Sequence, residues 1–300
     1  MKRADEISRR DLLRNAGVAA AAGALGGLET QAASPEPAGG KPRTLALIGD
    51  RYHNQDYIRV GLDRIFKELG LPIDYTSNYD ELSRSLLEPY QLFVALRDNM
   101  IRPVTGYSDA LWTDVGSLEN PWEYPRERVE NWITEEQGMA VHDFVAAGNG
   151  FYAMHNSCSL SLGSKNYREV MGGAYGGHPP LRPFQVRPTA NKHPITEGIS
   201  PFMVTDEQHY VIYDKDPKYI ILEAENIDGL TYRRRRPSEG PGHGAGEYEN
   251  VGTKSISGWA YEYGKGRLVY TAVGHTVHAM WAPEFLKIQK NAIRWLLRMA

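Results

Sequence analysis

Short apolar runs alternate with segments of helical spacing in the first half of the chain. The runs Thr44–Ile48, Leu92–Leu96 and Gly150–Met154 are apolar at almost every position, which is typical of strands buried on both faces of a parallel sheet. A short strand is also expected over Ile73–Thr76. Between these runs, apolar residues recur every three or four positions, which predicts helices over Asn54–Leu69, Leu82–Leu87 and Thr134–Gly148. The alternation predicts an α/β protein with a mainly parallel central sheet covered on both faces.

The second half of the chain is richer in strands and turns. Candidate strands are Phe184–Val186, Tyr219–Leu222, Ser255–Tyr261 and Arg267–Val273. The tripeptide Gly264-Lys265-Gly266 between the last two strands predicts a hairpin. An amphipathic helix over Phe285–Leu297 is expected to close the fold.

The first 42 residues predict export. Ser8-Arg9-Arg10-Asp11-Leu12-Leu13 is a twin-arginine pattern that precedes a weakly apolar stretch and a small-residue cleavage site. We therefore expect a signal peptide over residues 1–33, a linker over 34–42 and one domain over 43–300. The twin-arginine translocase would be a transient partner, and the mature protein would be periplasmic or otherwise exported. The alternative for the first residues is a basic amphipathic tail. No stable membrane insertion is expected, because the apolar stretch is shorter than the roughly 20 residues of a span.

Composition narrows the classes of protein and site. The formal net charge of -3 argues against a nucleic-acid partner. The basic run Arg233–Arg236 borders a Gly/Pro-rich stretch and is interpreted as a solvated turn. Cys158 is the single cysteine, so an intrachain disulfide and zinc sites built on several thiolates are excluded.

Polar residues follow the predicted strands where each strand ends. Asp50 with His53, Asp98, His155 and His275 all occupy such positions. In an open parallel sheet, ligands bind outside the carboxyl ends of the strands. These residues are therefore predicted to converge on one ligand site.

His155 falls at a sharp turn from a strand into a predicted helix. Related sheets place a nucleophile at such a turn, but here the exposed position would be His155 or Asn156. Cys158 lies three residues further on and is interpreted as a small buried residue. A thiol triad is therefore disfavoured.

Two further histidines lie among glycines or carboxylates. The run Gly172–Pro179 is interpreted as a shaped loop that presents His178, with a plain flexible loop as the alternative; neither phosphate-loop pattern is present. In Asp206-Glu207-Gln208-His209, Glu207 and His209 would point the same way if extended. A carboxylate beside imidazole can orient a general base, or both can bind a metal. A solvated turn is the alternative.

Two segments break the regular pattern. Residues 101–131 contain several prolines, with Trp112, Trp122 and Trp132 in or beside them. We expect a surface insertion beside the site, with aromatic rings that could stack on a sugar. The stretch 237–252 is glycine-rich and is expected to form a mobile loop that could reshape the pocket.

The ordered set of motifs resembles the ThuA-like (trehalose utilisation) family. It comprises Gly176-Gly177-His178-Pro179, His193-Pro194-Ile195-Thr196-Glu197-Gly198-Ile199, Asp206-Glu207, Gly264-Lys265-Gly266-Arg267, Gly274-His275-Thr276 and Trp295, and it spans roughly Thr44 to the C-terminus. The resemblance implies a flavodoxin-like three-layer sandwich of the class I glutamine amidotransferase type without its usual catalytic cysteine. It also implies a role in sugar metabolism, in some systems alongside dehydrogenases that make 3-keto glycosides. Because of the two irregular segments, trehalose itself is not assigned as substrate.

Three functional hypotheses follow. The first is an exported enzyme, a hydrolase, lyase or isomerase, that uses acid–base chemistry on a sugar or keto-sugar derivative. Its predicted catalytic residues are His155, Glu207 and His275, and its predicted substrate-binding residues are Asp50, His53, Asn156, Gly177, His178 and Asp206. The second adds a divalent metal as cofactor, with His178, Glu207, His209 and His275 as candidate ligands. The third is a non-catalytic periplasmic carbohydrate-binding or scaffold protein on a degenerate amidotransferase fold. Each hypothesis has a small-molecule carbohydrate as the binding partner. Each is also compatible with a homo-oligomer.

Overall fold

A nine-stranded mixed sheet forms the centre of the protein. The structure is a computed structural model that describes residues 41–50, 52–101, 130–227 and 252–299. The strands of this sheet are β1 (Thr44–Ile48), β2 (Ile73–Thr76), β3 (Leu92–Leu96), β6 (Gly150–Met154), β8 (Arg182–Pro188), β9 (Phe202–Asp206), β11 (Ile220–Asn226), β12 (Lys254–Tyr263) and β13 (Gly266–Thr271). Their order across the sheet is β2-β1-β3-β6-β13-β12-β11-β8-β9.

Five of these strands are parallel and four extend the sheet in antiparallel fashion. β2, β1, β3, β6 and β13 pair in parallel. β12, β11, β8 and β9 pair antiparallel from β13 outward. Two small antiparallel pairs complete the strands: β4 (Met100–Ile101) with β5 (Glu130–Asn131), and β7 (Gly173–Gly177) with β10 (Tyr210–Tyr213). The α/β class and flavodoxin-like architecture are confirmed.

Helices cover both faces of the sheet and create two hydrophobic cores. One core packs α1 (Gln55–Leu69) and α6 (Pro283–Leu296) against the sheet, and the other packs α3 (Glu135–Ala146) and α4 (Lys165–Met171) on the opposite face. Two short helices, α2 (Arg84–Leu87) and α5 (Val277–Met280), fill the remaining connections. β1, β3 and β6 are buried at every position, as expected of strands covered on both sides.

Capping residues set where α1 and α3 begin and where α1 ends. The Asn54 side chain accepts a hydrogen bond from the Asp56 backbone N–H at the start of α1, and Gly70 ends this helix in the left-handed conformation. Thr134 and Gln137 form the predicted capping box at the start of α3. The hairpin between β12 and β13 is confirmed, with Gly264 at a φ of 57°.

One predicted loop is a strand. The glycine-rich run 172–179 was expected to be a shaped or flexible loop, but residues Gly173–Gly177 form β7 and pair with β10. Glycine is required there because the backbones approach closely: a Cβ on Gly176 would lie 2.6 Å from the Tyr210 carbonyl oxygen. His178 therefore follows a strand end.

Several predicted segments lie outside the described residues. They are the signal peptide and most of the linker, most of the tryptophan-rich insertion with Trp112 and Trp122, the Arg233–Arg236 run, and almost all of the glycine-rich stretch 237–252. Within the four described ranges, no helix has the length and apolar character needed to cross a membrane.

Candidate functional site

The site lies at the carboxyl ends of the parallel strands. β1, β3, β6 and β13 run in the same direction. The residues that follow them, Asp50 with His53, Asp98, His155 and His275, therefore meet at one edge of the sheet. This convergence was predicted from the alternation of strands and helices, and the antiparallel part of the sheet adds Glu207 just after β9.

Glu207 is the centre of a histidine cluster. Its Oε2 atom lies 3.1 Å from His275 Nδ1, 3.3 Å from His155 Nε2, 3.4 Å from His178 Nε2 and 3.7 Å from His209 Nε2. Four imidazoles thus surround one carboxylate oxygen.

His53 extends the cluster to a fifth histidine. Its Nε2 atom lies 3.1 Å from His275 Nδ1. Its Nδ1 atom lies 2.8 Å and 3.0 Å from the two carboxylate oxygens of Asp50. Since a carboxylate only accepts hydrogen bonds, Nδ1 of His53 carries the hydrogen and donates it to Asp50.

The position of His155 is set by an unusual backbone conformation and by a hydrogen bond to the Ala272 carbonyl oxygen. Its φ is 50°, in the left-handed region that favours glycine, and such conformations are concentrated at functional sites. His155 Nδ1 donates to the Ala272 carbonyl oxygen at 2.7 Å, so Nε2 faces Glu207. The side chain is fully buried. Gly274 lies against it, since a Cβ on Gly274 would come within 2.9 Å of the His155 Cβ.

Asp206 fixes the two loops that carry the cluster. Its carboxylate accepts hydrogen bonds from the backbone N–H groups of Glu207 at 2.8 Å, Gly274 at 2.9 Å and His275 at 3.1 Å. Asp206 is 0% exposed. Burial raises its pKa, and the hydrogen bonds and nearby histidines offset this only in part. Asp206 thus positions Glu207 and His275 from behind.

A cavity of about 350 Å³ opens beside the cluster. This volume is at the small end of ligand-binding pockets. The described residues that line it are Tyr52, His53, Asp98, Met100, Asn156, Tyr175, His178, Glu207, His209 and His275.

The structure divides the predicted site residues into two groups. His53, Asn156, His178, Glu207, His209 and His275 line the cavity. Four other predicted residues are not among the described lining residues: Asp50, His155, Gly177 and Asp206. Asp50 and Asp206 hold other site residues by hydrogen bonds, and the buried His155 contacts Glu207.

Four of the described cavity residues were given no catalytic, binding or metal role from sequence: Tyr52, Asp98, Met100 and Tyr175. Asp98 is buried, and burial together with the neighbouring charge of Asp50 raises its pKa to about 7. It can therefore give or take a proton near neutral pH. Tyr175 lies within β7, where the glycines around it obscured a strand. The signal that pointed to Asp98 was its place directly after β3; nothing comparable marked Tyr175.

The pKa values of Glu207, His178 and His209 are shifted from their usual range. Burial alone would raise the pKa of Glu207, but contacts with His155, His209 and His275 outweigh it, and the pKa lies well below its usual range. Glu207 is therefore ionised and a weak base. Burial lowers the pKa of His178 and that of His209. The arrangement suits Glu207 to hold a cation or orient imidazoles, and it suits neutral imidazoles to accept protons.

Trp132 and Cys158 are not among the described residues that line the cavity. Trp132 is buried, and its indole N–H donates to the Asp98 carbonyl oxygen at 2.7 Å, so it supports the site from behind. Cys158 is fully buried and burial raises its pKa well above the usual value, which agrees with its interpretation as a small core residue.

The fold and this site define a class I glutamine amidotransferase-like protein with histidines and a carboxylate at the strand ends. The family model for ThuA, described as trehalose utilisation, matches residues 48–296, and the chain belongs to this family. The predicted family is thereby confirmed, and the protein is related to sugar metabolism. No protein with curated annotation shows significant sequence similarity to the chain.

Two solved structures share the fold. A ThuA-like protein from Bacteroides uniformis is 15% identical with a TM-score of 0.53, over 87% of this chain and 95% of that one. A ThuA-like protein from Parabacteroides merdae is 15% identical with a TM-score of 0.52, over 86% of this chain and 90% of that one. At these identities the similarity supports the fold alone.

Proposed function

We propose that the protein is an enzyme of sugar metabolism that uses acid–base chemistry on a sugar or keto-sugar derivative. The observation that carries this proposal is the single carboxylate oxygen of Glu207 in contact with four imidazoles beside a small cavity. Pure sugar binding can use neutral amides and aromatic rings, and it gives no reason to gather so many ionisable groups at one point.

The cavity offers groups for both directions of proton transfer. Hydrolase, lyase and isomerase reactions each remove a proton at one position of the substrate and deliver one at another. His178 and His275 are 24% and 21% exposed at their side chains and face the cavity with Asp98. Glu207 contacts His275 Nδ1, which leaves Nε2 of that ring as the nitrogen for a substrate. His155 acts through Glu207, since it is buried behind it.

A substrate panel tests the proposed activity. The purified protein is incubated with glycosides and their 3-keto derivatives, and products are detected by mass spectrometry. We expect at least one panel member to be converted. The Glu207→Gln variant should lose this conversion, because the amide cannot hold the imidazoles as a carboxylate does. Glu262→Gln is the matched control, since that carboxylate is 64% exposed and pairs with Arg267 on the surface.

The alternative is a carbohydrate-binding or scaffold protein without catalysis. Saturable binding of a panel member without any product would contradict the proposed enzyme and support this alternative. Equal conversion by Glu207→Gln and the parent would contradict the proposed role of the cluster.

We also propose that the chain is exported by the twin-arginine route to the periplasm. The motif Ser8-Arg9-Arg10-Asp11-Leu12-Leu13 and the following apolar stretch support this proposal. With Arg9→Lys and Arg10→Lys together, we expect the unprocessed protein to stay in the cytoplasm, as measured by cell fractionation. Lys2→Arg is the control, because it makes a similarly conservative change at a basic residue outside the arginine pair. Unchanged export of the double variant would contradict the route.

A further inference from the structure

We propose that His53, His155, Glu207 and His275 bind one divalent transition-metal ion, for which Zn²⁺ is the best-matched candidate. The inference deepens the proposed function, on which its catalytic meaning rests, but metal binding can be measured without any substrate. The four residues come from four separate segments that follow strands, and each offers one ligand atom within 4.8 Å of the others.

The spacing of these ligand atoms fits a metal coordination shell. Glu207 Oε2 is 3.3 Å from His155 Nε2 and 3.1 Å from His275 Nδ1, and His275 Nδ1 is 3.1 Å from His53 Nε2. Metal–nitrogen bonds of about 2.0–2.1 Å in a tetrahedral site place the ligand atoms about 3.3 Å apart. These three separations are close to that spacing, and all four ligand atoms lie within 4.8 Å of one another.

Outer partners already orient two of the three histidines for metal binding. A metal-binding histidine generally donates its other ring N–H to a carboxylate or a backbone carbonyl. His53 donates Nδ1–H to Asp50, and His155 donates Nδ1–H to the Ala272 carbonyl oxygen. Both rings are thereby set to present Nε2 with its lone pair toward the proposed ion.

The contact between His155 and Glu207 needs a cation. With the hydrogen on Nδ1, a neutral His155 turns the lone pair of Nε2 toward a carboxylate oxygen 3.3 Å away. His155 Nε2 is buried and has no hydrogen-bond partner among the described residues. One proton could relieve this single contact. A metal ion would relieve it and would also bind Glu207, His275 and His53.

The ligand types select the ion. Three imidazole nitrogens and one carboxylate oxygen suit Zn²⁺ or another first-row transition ion, whereas Mg²⁺ and Ca²⁺ prefer oxygen ligands. Of the four proposed ligands, Glu207 and His275 have the most exposed side chains, 13% and 21%, and both line the cavity. A substrate hydroxyl or carbonyl oxygen would therefore approach the ion from this side as a fifth ligand, while His178 remains outside the ligand set and can transfer protons.

This ligand set revises the one proposed from sequence. It keeps Glu207 and His275 but replaces His178 and His209 with His53 and His155. His178, Glu207 and His209 also form a group with suitable spacing. However, neither ring nitrogen of the buried His209 has a hydrogen-bond partner among the described residues, so no outer group orients that ring.

Metal content and affinity test the inference on untagged, chelator-treated protein. We expect about one equivalent of Zn²⁺ after dialysis, measured by elemental analysis, and visible absorption bands of four-coordinate Co²⁺ when Co²⁺ is substituted. Glu207→Gln and His275→Ala should weaken Zn²⁺ binding by more than about 100-fold, since loss of an outer partner alone costs about 10–100-fold. Asp50→Asn should show that smaller loss, because it removes the negative charge of the carboxylate that orients His53. Circular dichroism confirms that each variant folds.

Two variants test the choice of ligands. His178→Ala and His142→Ala, a change at a partly exposed histidine of α3, should both retain Zn²⁺ affinity. Less than about a tenth of an equivalent of Zn²⁺ in the parent would overturn the inference. So would loss of binding in His178→Ala with full binding in His275→Ala. Turnover by metal-free protein at the full rate would overturn the catalytic meaning of the metal centre but leave the proposed enzyme intact. Stoichiometric Zn²⁺ without turnover of any substrate would contradict the proposed enzyme but leave the metal site intact.

Discussion

Turnover is expected to fall by about 10²–10⁴-fold in the His275→Ala variant, the usual contribution of a positioned acid–base group. Stability should change little. The backbone N–H of residue 275 keeps its hydrogen bond to Asp206 when the side chain is removed, and that side chain is already 21% exposed. The measurement is the steady-state rate on the substrate found in the panel, together with the melting temperature of chelator-treated protein.

His278→Ala is the matched control for this prediction. The same substitution is made three residues further along the chain, at an exposed position on α5. Its rate and melting temperature should both stay near those of the parent. A large loss of stability in His275→Ala, with unchanged activity per folded molecule, would show that His275 is structural.

The Asp206→Ala variant is expected to lose about 3–5 kcal/mol of unfolding free energy. The substitution leaves three backbone N–H groups, those of Glu207, Gly274 and His275, without their acceptor. Each buried donor left unsatisfied costs about 1–3 kcal/mol, and these costs are not fully additive. Urea unfolding of chelator-treated protein measures the effect. Activity should fall as well, because Glu207 and His275 lose the anchor that sets their separation.

Asp214→Ala provides the comparison for Asp206→Ala. The Asp214 carboxylate pairs with Arg168 near the surface, with side chains 34% and 38% exposed. Surface pairs of this kind contribute about 0–1 kcal/mol. If Asp206→Ala is as stable as the parent and only substrate affinity falls, then Asp206 contacts the ligand, as the sequence-based hypothesis stated.

The elements with strong local signals were predictable. β1, β3 and β6 are continuous apolar runs, α1 has helical spacing with a cap at each end, and α3 begins with a capping box. Each signal lies within a few residues of the element it defines. β7 and β10 were missed because packing with Trp259 and with each other decides their conformation: a Cβ on Gly173 would lie 2.8 Å from the Ile212 carbonyl oxygen. A glycine-rich strand carries no periodic side-chain pattern by which to recognise it.

The sequence by itself determined that polar residues would gather at the carboxyl edge of one sheet, because strand direction in an alternating α/β chain follows from its connections. Only the tertiary structure decided which of them face the cavity and what each ring nitrogen contacts. His53 and His275 are 222 residues apart in the chain, and their 3.1 Å contact depends on the order and register of β1, β6 and β13. Likewise, Asp206 anchors the backbone of Gly274 and His275, and Glu207 lies at the centre of the histidine cluster, because the end of β9 lies beside Gly274 and His275. Side-chain direction and hydrogen-bond partners are set by neighbours distant in sequence, so no local pattern records them.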